Sequence, residues 1–203
     1  MKKIVLLFLL ITSITQINAQ KVGILSGINI SNMVMKNELF RIPYDNIYGF
    51  HIGALVDLKI KTRFSIGTGL LFNTKGCSIG KEPNNNVTRI YSLDIPITAK
   101  LLFPIDKDLA LFAKAGGYLG CSIAGSIDKG DEWGGNSDVK WGSDKDSDLK
   151  RFDYGLTFGI GMQNKSVIFG LTYNIGLNNI GPDQGYLSNT TNNFFQISVG
   201  YMF

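Results

Sequence analysis

Little in this chain can carry chemistry unaided. Among 203 residues there is one histidine, His51, two cysteines, Cys77 and Cys121, and five prolines. Two cysteines are too few for a disulfide-stapled scaffold. Beyond the first twenty residues there is also no apolar run of about 18, which excludes a membrane protein built on helices. Charge is scarce too: the formal net charge of +4 includes Lys2 and Lys3 and falls to +2 without them. That is too small a surplus for a nucleic-acid surface, so no nucleic-acid partner is expected.

The opening segment, MKKIVLLFLLITSITQINAQ, stands apart from the rest. Its lysine pair, an apolar run from Ile4 to about Leu10 and a small residue at Ala19 read as a secretory signal peptide over residues 1–19. Ile17, three positions before the cut, departs from the usual small residue and leaves the cleavage point open. The mature domain is then 20–203, about one domain in size.

What the chain does have is glycine, 24 residues of it, and apolar residues at every second position over many segments. This periodicity marks an all-β chain. Eight strands are expected, near 21–30, 48–60, 63–74, 90–102, 109–123, 151–163, 167–177 and 193–203. Long and short connections alternate, so all the long loops fall at one end of a meander. One face of these strands carries Ile24, Phe50, Ile52, Leu70, Ile95, Leu119, Phe158, Leu171, Ile197 and their like, with no charge. The other carries most of the strand glycines with His51, Asp57, Lys59, Asp94, Lys100, Lys114 and Asp153. Packed inward, the apolar face would overfill an eight-stranded lumen. Turned outward, it meets lipid, while glycine and small polar groups fit the interior. Closure also satisfies every backbone group in hydrocarbon. The fold class is therefore an eight-stranded antiparallel up-and-down transmembrane β-barrel, with outer-membrane lipid as its surroundings and a monomer as its expected state.

Four stretches, YSLDIPITAKLLF (91–103), AKAGGYLGCSIAG (113–125), FDYGLTFGIGM (152–162) and the terminal ISVGYMF (197–203), resemble the outer-membrane β-barrel domain family of Bacteroidetes, the PorT-like group. The resemblance spans essentially the whole mature chain. It implies an outer-membrane barrel of about eight strands and, for most members, no assigned activity; PorT itself is associated with protein secretion.

The candidate functional residues fall into three sets. Inside the barrel, His51, Asp57, Lys59, Asp94, Lys100, Lys114 and Asp153 are expected to form a polar, salt-bridged network. One alternative is a polar track for small ions. Another is catalysis on lipid by His51 with Asp94 or Asp153, although register places no nucleophile beside that histidine. In the longest loop, 126–150, Trp133 and Trp141 stand among glycines and aspartates, a composition suited to recognition of an envelope protein or an extracellular ligand. Asp144, Asp146 and Asp148 begin like a calcium loop, but Leu149 replaces the turn glycine and no glutamate closes the site. A solvated loop is expected there. Tyr201 and Phe203 end the last strand on the lipid face, as a C-terminal signal for the barrel assembly machinery would. Cys77 and Cys121, about 9 to 10 Å apart across an intervening strand, are expected to be free thiols. No cofactor and no enzymatic activity are expected.

Overall fold

The computed structural model describes residues 20–35, 44–80, 86–129, 135–144, 146–182 and 189–203. The segment read as a signal peptide and the loop residue Trp133 lie outside the described residues. Eight long antiparallel strands close on themselves: β1 (Gln20–Met35), β3 (Ile47–Lys61), β4 (Phe64–Ile79), β5 (Asn86–Pro104), β6 (Leu109–Asp128), β8 (Phe152–Asn164), β9 (Val167–Gly176) and β10 (Thr190–Met202). Each pairs with its neighbour in sequence, and β1 pairs with β10 from Gly23 against Met202 to Met35 against Thr190. Two short strands, β2 (Tyr44–Asp45) and β7 (Asn136–Asp138), add to the outer parts of β4 and β6.

The wall is inverted relative to a soluble core. Ile24, Phe50, Ile52, Leu70, Ile97, Leu119, Phe158, Leu171 and Ile197 are all exposed, whereas Asn29, Asn73, Thr157, Asn174, Gln196 and Ser198 are buried in the lumen. Period-two alternation puts each set on its own side. A lumen this narrow brings strands so close that several inner positions leave no room for a side chain: a Cβ on Gly116 would run into the backbone carbonyl of Ile97. Aromatic residues gather toward the two ends of the apolar belt. Phe50, Phe72 and Tyr91 form a ladder with ring centroids 5.7 and 6.0 Å apart at the end bearing the long loops, and Tyr201 packs edge-on against Phe203 at the opposite end, 5.4 Å away. The last residue does not fray, because the Phe203 amide donates to the carbonyl of Val22 at 2.8 Å.

Three features depart from the sequence reading. The strands run further toward the loop end than their hydrophobic pattern suggests: β4 continues to Ile79, β5 begins at Asn86 and β6 reaches Asp128. These extensions, flanked by β2 and β7, raise one side of the wall, while β8 and β9 stop short at Phe152 and Gly176. Second, the interior is not lined by small and polar residues alone. Phe112, Ile168 and Met202 pack together with Leu102 at the terminus end, and Leu25 is buried as well. Third, the long acidic loop is not simply solvated. Val139 and Leu149 are buried with Met33, Cys77, Ile90 and Ile180 in a second apolar cluster at the loop end, with Tyr44, Ile79, Ile127 and Trp141 packed around it. The loop is tied down by backbone bonds from Val139 to the Gly125 carbonyl, from Lys150 to that of Ile180, and from Ile180 to that of Thr190. Cys77 is buried in this cluster, Cys121 lies in the wall, and both are free.

Candidate functional site

The residues with chemistry meet in the lumen, held there by all eight long strands. At its centre is a lysine that hydrophobic patterning assigned to a loop. Lys75 lies in the extended part of β4, one residue before Gly76, whose φ of 146° and close approach to the Thr88 carbonyl exclude a side chain there. Ser31 accepts the Gly76 amide at 3.0 Å. Continuous register from Leu71 and Asn73 puts Lys75 on the same inner face, where only 1 % of its side chain is exposed. Its ammonium sits 2.7 Å from Asp94 Oδ2 and 3.3 Å from Asp153 Oδ2. The rings of Phe194 and Tyr118, packed edge-on against each other with centroids 5.6 Å apart, both meet the same nitrogen at 4.6 and 4.8 Å, cation–π contacts that compensate for lost water. Asp153 Oδ2 also accepts from Tyr118 at 3.2 Å and Asn192 at 3.1 Å, and Asp94 Oδ2 from Asn73 at 2.8 Å. Two carboxylates thus share one ammonium, and their Oδ1 atoms take no hydrogen bond among the described residues.

From Asn73 the network crosses the whole lumen. Gln196 donates to Asn73 Oδ1 at 2.9 Å and to Asn29 Oδ1 at 3.2 Å, accepts from Asn174 at 3.0 Å, and Asn174 accepts from Thr157 at 2.7 Å. Asn29 donates to the carbonyls of Phe50 and Thr74. This side-chain layer spans the barrel from β3 and β4 to β8. It leaves an interior cavity of about 70 Å³ on its terminus side, room for a few waters.

His51 belongs to this layer. Its Nδ1 stands 2.7 Å from Asn29 Oδ1, an acceptor, so Nδ1 carries the proton and Nε2 accepts from the Ser198 hydroxyl at 2.9 Å. A hydroxyl therefore does stand beside His51, contrary to the sequence reading; it arrives from β10, across β1, a neighbourhood that only closure of the barrel creates. The order Ser198, His51, Asn29 has the connectivity of a nucleophilic triad. It lacks the rest of one. Ser198 is laddered on both sides by β1 and β9, leaving no free backbone amides for an oxyanion, and the adjoining cavity is too small for an acyl chain.

A second charged group lies closer to the terminus end. Lys100 Nζ is 2.7 Å from Asp57 Oδ2, 3.4 Å from Gln163 Oε1 and 4.7 Å from the Phe112 ring. Lys114 stands directly opposite Lys100 on β6. Lys59, by contrast, is exposed at the rim and joins no network among the described residues. The predicted lumen set is therefore divided: Asp94 and Asp153 in one group with His51 nearby, Asp57, Lys100 and Lys114 in another, with Lys59 outside both.

In the loop, Trp141 is half-buried against the cap cluster, with the Arg151 guanidinium 5.1 Å over its ring. A cleft of about 350 Å³ opens beside it, lined by Trp141, Ser143, Lys150, Arg151, Phe152 and Asn178. Asp148 accepts the Lys140 amide at 2.8 Å and so helps to fold the loop, while Asp144 and Asp146 are not drawn into a common site with it. Among the described residues, no three His, Cys, Asp or Glu side chains are grouped to hold a metal ion.

A family model described as outer membrane protein beta-barrel domain matches residues 16–181. Among solved structures, Neisserial surface protein A aligns over 90 % of this chain and 97 % of its own, with 14 % identity and a TM-score of 0.50. OprG of Pseudomonas aeruginosa aligns over 91 % and 96 %, with 12 % identity and a TM-score of 0.47. Ail of Yersinia pestis, solved with the heparin analogue sucrose octasulfate, aligns over 91 % and 99 %, with 12 % identity and a TM-score of 0.46. At these identities the likeness is one of fold. No curated protein matches the chain.

Proposed function

The chain belongs to the outer membrane protein β-barrel domain family, and from that premise we propose that it works by its shape and its outer surface rather than by transport or catalysis. It is an outer-membrane barrel with a structural or interaction role. In such barrels the short turns face the periplasm and the long loops the exterior, so the cap around Val139 and Leu149 is the extracellular end. The observation that carries the reading is the filled lumen. The Lys75–Asp94–Asp153 group and the Asn29–Asn73–Gln196 layer span the bore, and Phe112, Ile168 and Met202 stand below them. A path for solute would require a desolvated lysine to leave both of its carboxylates.

Recognition is then assigned to the cleft where Trp141 and Phe152 meet Lys150 and Arg151, since aromatic and arginine side chains at a concave surface are the usual anchors of an interface. Removal of residues 1–19 on export, reading of Tyr201 and Phe203 by the assembly machinery, and membership of the PorT-like branch of Bacteroidetes complete the proposal. A secretion accessory is compatible with it, and rests on that resemblance alone.

The test is conductance. Mature protein refolded into a planar bilayer, with its closed state verified by heat-dependent gel mobility, should give no steady single-channel steps. Reproducible steps whose size changes in Lys100→Ala would overturn the filled-lumen reading in favour of a narrow pore.

A further inference from the structure

The lumen's charges balance only when its two ends are counted together. The outer group holds Lys75 against Asp94 and Asp153 and carries one surplus negative charge. The inner group holds Lys100 and Lys114 against Asp57 and carries one surplus positive charge. Asp94 and Lys100 are six residues apart on β5, roughly 20 Å along the strand, too far for either surplus to neutralise the other.

Within the inner group the ion pairing is unequal. Asp57 reaches across Gly67 to Lys100, whose ammonium it meets at 2.7 Å. Lys114 runs the other way: its Cε passes over Gly159, where a Cβ would lie 2.7 Å from it and 3.1 Å from Thr172 Oγ1. Among the described residues Lys114 Nζ makes no hydrogen bond and no ion pair, and Asp57, held against Lys100, acts on it only at longer range. It lines the interior cavity together with Lys100, Asp57, Thr98 and Thr172, and that cavity, at about 70 Å³, accommodates an atomic ion with a few waters and no organic acid. Two ammonium groups placed directly opposite each other on adjacent strands repel, and Lys114, partly buried at the cavity wall, has no carboxylate in contact to offset that repulsion.

We propose that the cavity at Lys114 binds a small inorganic anion of the chloride type, held by the ammonium groups of Lys114 and Lys100 with the Thr172 hydroxyl as a further donor. The bound ion makes the inner group neutral and relieves the repulsion between the two lysines. This inference does not depend on what the cap recognises.

Bromide reports the site directly. The protein, refolded and crystallised in bromide in place of chloride, should show an anomalous-scattering peak in contact with Lys114 Nζ. The same experiment on Lys114→Met should lose that peak and keep those at the protein surface. Should Lys114→Met fail to give the heat-modifiable folded form, Lys114→Gln, which retains a donor without the charge, takes its place with the same expected loss. A lumen with no peak while surface sites fill, or a peak that survives removal of the Lys114 charge, overturns the proposal.

Discussion

At the scale of single residues, the interior is governed by the cost of leaving a charge unpaired. Lys75 illustrates it: the lysine is stabilised by two carboxylates and two rings, and they depend on it in turn. Replacing it as Lys75→Met strands Asp94 and Asp153 in a buried site, and should destabilise the barrel by about 3–5 kcal/mol in urea titrations read by gel mobility. Adding Asp94→Asn should recover part of that loss, which a purely steric effect of methionine would not allow. His51→Ala removes the link between Asn29 and Ser198 and should cost about 1–3 kcal/mol, with no change in any phospholipid hydrolysis by the purified protein. The sequence exposed these residues unevenly. Alternation puts His51, Asp94, Asp153, Lys100 and Lys114 on the inner face. It missed Lys75, because Lys75, Gly76 and Ser78 read as a polar loop once the strand passes the end of the apolar belt. It also missed Ser198 as the partner of His51, because the two are 147 positions apart in sequence.

At the scale of elements, the lipid-facing half of each strand is written plainly, and the part beyond the membrane is not. Lipid demands an apolar residue at every second outward position, so the pattern identifies the eight strands and their faces. Outside the hydrocarbon the outward side chains are free to be polar, and the extensions of β4, β5 and β6 lose their signature. The cap was hidden for a different reason. Its two buried members, Val139 and Leu149, are isolated apolar residues in a stretch dominated by glycine and aspartate, and what buries them is Met33, Cys77, Ile90 and Ile180 from four distant segments. Trp141 seals that cluster from the outside. Trp141→Ala should therefore speed proteolytic cleavage within 135–150 severalfold, while the barrel keeps its heat-modifiable mobility. Equal cleavage rates for the two proteins would show that the loop is held by its backbone bonds alone.

At the scale of the whole molecule, shape and interior together define what the protein offers its surroundings: a closed bore, an apolar girdle and a wall higher on one side than on the other. The silent bilayer expected of the filled lumen is a property of this scale, since no single layer closes the bore alone. The seam between β1 and β10 belongs to it as well. Thirteen registered pairs join residues 23–35 to residues 190–202, the most distant parts of the folded chain. Contacts of such sequence separation form late and at high entropic cost. A chain lacking β10 would bare the edges of β1 and β9, two rows of amides and carbonyls that hydrocarbon cannot satisfy. It should accumulate as no smaller barrel but be degraded in the periplasm, as pulse-chase of a chain ending at residue 189 would reveal. The last strand thus acts as a proofreading device: insertion is all-or-none, and an interrupted translation product never becomes a leak in the envelope.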